Sequence, residues 1–226
     1  MRHGGQTMRH GGMGILLAAL LGALAGCEGP RALLMVRESG DRAFSRQEYP
    51  KALTEYTEIV ERAPADWESR VKLARTQLVL NDATAARENL AVAHSMRPDD
   101  DNIVDLLSTA MLESGQVTQM HDLLEQRART KGRTGDYLRL GFFMDRAGDA
   151  DSAERALLTA ARIDRGQHIE PYLALADFYH KVGDDDAALR RLRYALWIDS
   201  TNDAVIARLR DMGEIPGPSL ALQPPN

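Results

Sequence analysis

Residues 183–199 read GDDDAALRRLRYALWID, and residues 148–164 read GDADSAERALLTAARID. The two stretches agree in their opening turn, in a small residue five places on, and in a leucine four places after that. Residues 81–99, NDATAARENLAVAHSMRPD, and residues 47–64, QEYPKALTEYTEIVERAP, carry the same design. A small side chain marks each unit at Ala52, Ala86, Ala153 and Ala188, and Met120 stands at the equivalent place between them. The intervals are 34, 34, 33 and 35 residues. Such a period is the signature of stacked supersecondary units.

Two further columns explain why the unit repeats. Twelve residues before the marker stand Gly40, Ala74, Ser108, Gly141 and Ala176, all small. Four residues after it stand Tyr56, Leu90, Leu124, Leu157 and Leu192, all large and apolar. Small side chains let two helix axes approach, and large ones fill the space beside the crossing. Between the columns come Gln47-Glu48, Asn81-Asp82, Gly115-Gln116, Gly148-Asp149 and Gly183-Asp184. Gly or Asn ends a helix and an acid opens the next. Pro64 and Pro98 close the first two units.

This unit resembles the tetratricopeptide repeat (TPR), a helix-turn-helix of 34 residues. The resemblance implies an all-α fold: a right-handed α-solenoid of five helix pairs at 33–66, 67–100, 101–133, 134–168 and 169–202. Ser39 departs from the family's usual Leu. Residues 203–212 form an amphipathic helix expected to cap the last repeat, with Val205, Ile206, Leu209 and Met212 on one side. The Pro-rich residues 213–226 are expected to be disordered.

Composition agrees with helices. The chain is 226 residues long, rich in Ala and Leu, and only 5% aromatic. Its formal charge of −5 argues against a nucleic-acid partner. A single cysteine rules out an internal disulfide framework and a multi-thiolate zinc site. No run of eighteen or more apolar residues follows residue 30.

The amino terminus explains that cysteine. Residues 1–14, MRHGGQTMRHGGMG, hold Arg2 and Arg9 and no acid, and Met8 is a second possible start. The apolar stretch from Met13 to Gly26 would span about 21 Å as a helix, short of the roughly 30 Å hydrocarbon core. This pattern is a secretory signal peptide, residues 1–26. Leu24-Ala25-Gly26-Cys27 resembles the lipobox of bacterial lipoproteins. That resemblance implies cleavage before Cys27, a diacylglycerol on its thiol and acylation of its new amino group. Two or three acyl chains hold a protein firmly on a bilayer. Glu28 is not the Asp that retains lipoproteins in the inner membrane, so the family's sorting rule points to the outer membrane and the periplasm. Residues 27–32 would be a short tether. Cleavage removes two arginines and no acids, making the mature chain more acidic.

No catalytic constellation stands out, so the chain reads as a non-enzyme with no cofactor, metal or small-molecule substrate. Asp99-Asp100-Asp101 and Asp184-Asp185-Asp186 sit at helix starts, where carboxylates cap free N–H groups. His94, His121, His168 and His180 fall in different repeats without metal-ligand spacing.

Partners are therefore expected to be proteins. In the TPR family the concave groove is lined by the first helix of each repeat. Carrying those positions over gives Arg37 and Phe44; Val71, Arg75 and Leu78; Asp105, Thr109 and Leu112; Leu138, Phe142 and Asp145; and Leu173, Asp177 and His180. This mixture suits an extended peptide or a partner helix. Phe44, Leu78 and Phe142 could equally pack against the next repeat. The basic and Asn set that clamps carboxyl-terminal peptides in chaperone-binding members is absent. The basic run Arg127, Arg129, Lys131, Arg133 in QRARTKGRTGD reads either as a solvated irregular turn or as a contact for an acidic partner or lipid headgroups.

A lipobox joined to about five repeats resembles the pilotin and assembly lipoproteins of type IV and Tad pilus systems, which help secretins assemble. The alternative is an adaptor that docks peptidoglycan hydrolases or proteases at the envelope.

Overall fold

The computed structural model describes residues 31–225, and within them the chain is entirely helical, without strands. Eleven helices follow one another: α1 (Leu33–Ser45), α2 (Tyr49–Arg62), α3 (Trp67–Val79), α4 (Ala83–Met96), α5 (Asp101–Glu113), α6 (Val117–Lys131), α7 (Thr134–Ala147), α8 (Ala150–Asp164), α9 (Glu170–Val182), α10 (Asp185–Ile198) and α11 (Asp203–Asp211). The expected signal peptide at 1–26 and the expected lipidation site Cys27 lie outside the described residues.

The turn inside each pair is built five times in the same way. Gln47, Asn81, Gly115, Gly148 and Gly183 all take a positive φ, between 61° and 84°. The next residue's N–H then reaches back to a carbonyl five positions earlier. Glu48 donates to Ala43 at 2.9 Å, Asp82 to Gln77 at 2.8 Å and Gln116 to Met111 at 2.7 Å. Asp149 donates to Met144 at 3.0 Å and Asp184 to Tyr179 at 2.9 Å. A left-handed residue closed by such a bond satisfies carbonyls that the helix end would otherwise leave free. Asp82, Asp149 and Asp184 start the second helices by accepting from the N–H three residues on. Asp66 and Asp100 start first helices in the same manner, so the acid run at 99–101 supplies a cap.

The small and large columns meet across each crossing. A Cβ added to Gly40 would lie 2.8 Å from the Tyr56 ring, and one added to Gly141 would lie 2.6 Å from Leu157. Ala74, Leu90, Leu124 and Leu192 are buried beside their own crossings. Ser39, where the family has Leu, instead donates to the buried Glu55 at 3.0 Å. The core runs along the solenoid as four apolar clusters, one handing over to the next. The pair α5/α6 is the least intimate. Met120 replaces the marker alanine there and is fully buried, and the buried Ser108 hydroxyl opposite has no partner.

Two expectations are corrected. The stretch QRARTKGRTGD is not an irregular turn. Helix α6 continues through it to Lys131, Gly132 closes the helix at φ 63°, and α7 starts at Thr134. Nor is the tail from residue 213 disordered. The Arg193 Nε donates to the Leu220 carbonyl at 2.8 Å, and the Leu222 N–H donates to the Arg193 carbonyl at 3.0 Å. Leu220, Ala221 and Leu222 pack on the cluster of Tyr172, Tyr194 and Leu209. Pro224 is buried against Gly166. The apolar trio outweighs the disorder tendency of the prolines around it. Helix α11 buries Val205 and Leu209, with Asn202 as its N-cap.

Candidate functional site

The first helices α1, α3, α5, α7, α9 and α11 lie side by side, and their polar residues form a ladder of bonds from each to the next. Lys72 Nζ reaches Asp41 at 2.7 Å, and Arg75 donates to Asn102 Oδ1 at 2.8 Å. Arg139 binds Asp105, and Lys181 binds Asp145 at 2.8 Å. Arg208 makes a two-pronged pair with Asp177 at 3.0 and 3.1 Å. Burial pushes the Asp41 carboxyl up, but hydrogen bonds from Lys72 and Tyr56 outweigh it and hold the group below the usual carboxylate range. The Tyr56 hydroxyl is pushed up in turn by burial and by Asp41.

This ladder decides what the expected groove residues do. Asp105, Asp145 and Asp177 are each matched to a cation on the following first helix. Arg75 is tied to Asn102. Arg37 is bound to Asp66, the N-cap of α3. His180 Nδ1 lies 2.8 Å from Asp185. The Thr109 hydroxyl turns back to the Asp105 carbonyl at 2.9 Å. Val71 is not a groove residue: it is only 7% exposed and packs with Ala74, Leu90 and Ile103. Phe44 is half-buried, edge-on to Tyr49 at 5.5 Å, and packs on the first cluster. Leu78, Leu112, Leu138 and Leu173 are half-buried against the core.

Phe142 differs from all of these. It stands in the central part of the face on α7 and is 54% exposed. Arg146, one turn on, lies over its ring at 5.7 Å, and Phe143 meets it edge-on at 5.1 Å. The buried Phe143 fixes one side of the ring and leaves the other open. An aromatic held rigidly beside a cation can receive an apolar or aromatic side chain, or a cationic one.

Each cation of the basic run is paired within the protein, and only Arg127 is buried. Arg127 is buried and binds Asp136 and Asp101 and the Pro98 carbonyl. Arg129 pairs with Glu125, Lys131 with Asp99, and Arg133 with Asp136. Only the Glu125–Arg129 pair is local to α6; Asp99, Asp101 and Asp136, which hold Lys131, Arg127 and Arg133, lie outside that helix, so the run itself does not announce them.

Hollows along the first-helix face are small. One of about 190 Å³ is lined by Phe44, Tyr56 and Lys72, and another of about 190 Å³ by Asp177, His180, Arg208 and Met212. Small-molecule pockets usually run to roughly 300–1,000 Å³. Among the described residues no group of three His, Cys, Asp or Glu side chains converges as metal ligands. The histidines stay apart: His168 Nδ1 meets Asp164 at 2.7 Å, and His94 is pushed down by burial and by Arg127. Among the same residues no helix is long and apolar enough to cross a membrane.

No family model and no curated protein matches the sequence. Solved structures do. The crystal structure of MamA protein is 19% identical, with a TM-score of 0.56 over 82% of this chain and 98% of that one. TTC0263, a thermophilic TPR protein of Thermus thermophilus, is 25% identical, with a TM-score of 0.51 over 80% of this chain and 98% of that one. MamA residues 41 to the end from Desulfovibrio magneticus RS-1 is 17% identical, with a TM-score of 0.55 over 76% and 97% of the two chains. Repeat geometry, turn chemistry and these likenesses agree that the chain is folded as a TPR α-solenoid.

Proposed function

We propose that this chain is a lipid-anchored scaffold of the bacterial envelope that binds protein partners on its first-helix face. Fold alone names no client. The observation that carries the reading is Phe142, an aromatic 54% exposed on a face where Phe44, Leu78, Leu112, Leu138 and Leu173 are half-buried and Asp105, Asp145 and Asp177 are paired. A partner helix or extended peptide would anchor there, with the polar ladder as its rim. Binding costs little reorganisation if the face is already held in shape by its own bonds.

The lipobox ending at Cys27 supports a place on the membrane, facing the periplasm. Its pairing with five repeats in a chain of this size supports a role in assembling a pilus or secretin complex.

The test is affinity purification of the full-length chain from detergent-solubilised envelopes, beside Phe142→Glu and Cys27→Ala variants. The reading expects an envelope protein enriched with the native chain and lost with Phe142→Glu. A secretin or pilus subunit would support assembly of that machine, and a cell-wall hydrolase would replace it with the docking of enzymes. Equal recovery with native and Phe142→Glu protein would overturn the reading.

A further inference from the structure

A repeat solenoid needs a polar outer face on each terminal unit, because no neighbour covers it. At the carboxyl end α11 and the tail provide the cover. The amino end breaks the rule. Leu34 and Met35, in the first turn of α1, are 65% and 61% exposed. Helix α1 turns Val36, Gly40 and Ala43 inward. Leu34 and Met35 share its outer side with Glu38 and Arg42; Met35 and Arg42 stand where later repeats bury Ile103 and Ala110 against the preceding pair, and Leu34 lies beside them. Glu38 and Arg42 pair with each other, so apolar surface is concentrated at the tip.

Charge at the tip is also unusual. Helices α3, α5, α7, α9 and α11 each carry an acid in the first turn, and α1 carries none. The carboxylates around the tip are paired: Glu38, one turn on in α1, with Arg42, and Glu55 and Glu58 of α2 with Arg31. Distance adds a third constraint. Six residues lie between Cys27 and Leu34, and the seven steps reach at most about 25 Å when fully extended.

We infer that Leu34 and Met35 are a membrane-docking toe, which enters the lipid surface to which Cys27 is anchored. The inference rests on the lipid-anchor reading. A tether alone leaves the solenoid free to swing. A second contact at the tip fixes the axis of α1 against the bilayer and holds the first-helix face at a set angle to it. Two exposed apolar side chains free of nearby unpaired acids suit an anionic bilayer surface.

The test uses the full-length lipidated chain in vesicles of phosphatidylethanolamine and phosphatidylglycerol. Leu34→Cys, Met35→Cys and, as an aqueous control, Ile215→Cys each receive a nitroxide. The Cys27 thiol is blocked by its own lipid, so only the new thiol reacts. Vesicle flotation reads the anchor, and power saturation reads relative access of oxygen and of a water-soluble nickel chelate to the label. The docking toe predicts an oxygen-to-nickel ratio several-fold higher at 34 and 35 than at 215, in protein of unchanged helicity. Flotation with the same ratio at all three positions would overturn the toe and leave the anchor standing. Labels at 34 and 35 shielded from both agents, or broadened by a second copy, would assign the tip to a protein contact instead. Failure to float would remove the anchor and the toe together.

Discussion

Arg127 Nε donates to Asp136 Oδ1 at 2.9 Å, with both side chains sealed from solvent, although Arg127 stands where the other repeats place Ile59, Ala93, Ala160 and Ala195. Asp136 also accepts from Arg133 Nε at 2.6 Å and Arg139 Nη1 at 3.1 Å. The joint between the third and fourth repeats thus adds a buried ion network to the apolar packing of Leu124 and Ala128 on Leu140 and Phe143, where the other repeats have an apolar residue at the Arg127 position. Removing one partner of a buried pair strands the other, which typically costs about 3–5 kcal/mol. Asp136→Asn should lower the urea midpoint by a corresponding amount, and Arg129→Ala, on an exposed pair, should barely move it.

Acid should act through the same group. Burial raises the Asp136 carboxyl, but bonds from Arg133 and Arg127 outweigh it and hold the group below the ordinary carboxylate range. A depressed carboxylate gives its full stabilisation above its unfolded pKa of about 3.9 and loses it as pH falls through the lower folded value. Asp41 and Asp66 behave alike. Stability should therefore be level down to about pH 4 and fall below it. Asp136→Asn should show a shallower fall, measured by urea melts across that range.

Gly141 touches the Leu157 side chain so closely that a Cβ would lie 2.6 Å away. In an open helix Gly→Ala gains about 1 kcal/mol. Here overpacking of about 1–3 kcal/mol opposes it, so Gly141→Ala should be destabilising. Gly141→Ala with Leu157→Ala should be less unstable than the sum of the two single changes. Additive effects would contradict the close crossing.

Gln47 holds φ 61°, a backbone that Gly adopts freely in three of the other turns. The left-handed conformation costs an ordinary residue roughly 1–2 kcal/mol. Gln47→Gly should raise thermal stability by about 1 kcal/mol, partly offset by the flexibility Gly adds to the unfolded chain. Gln47→Val should lower it. Calorimetry of the two variants reads both signs.

Ser108 is fully buried and its hydroxyl has no partner. Ser108→Ala should stabilise the α5/α6 pair by about 1–3 kcal/mol, because the stranded donor disappears. A loss of stability would mean that the hydroxyl is bonded.

The fold was legible because its rules are local. A left-handed turn residue, an acid cap and a small-large crossing each need residues within about one repeat, and the same set recurs at Asn81-Asp82, Gly148-Asp149 and Gly183-Asp184. Even Gln47 follows by its place in the column. Arg127 was not legible, because its meaning depends on Asp101 and Asp136 on flanking helices. The tail misled because prolines dominate its composition while Leu220 and Leu222 dominate its packing. The candidate face was half legible. Which helices line it follows from the repeat, but whether Phe44, Leu78 or Phe142 stays open depends on how each first helix is rotated against its neighbours, and only Phe142 is mostly exposed.

Site-specific photocrosslinking in living cells tests the binding face most directly. The photoreactive residue replaces Phe142 in one strain and Glu88, on the exposed side of α4, in another. The account predicts a single strong adduct at 142, identified as an envelope protein by mass spectrometry, and none at 88. Stable, membrane-bound protein with no adduct at 142, or with the same adduct at both positions, would contradict it.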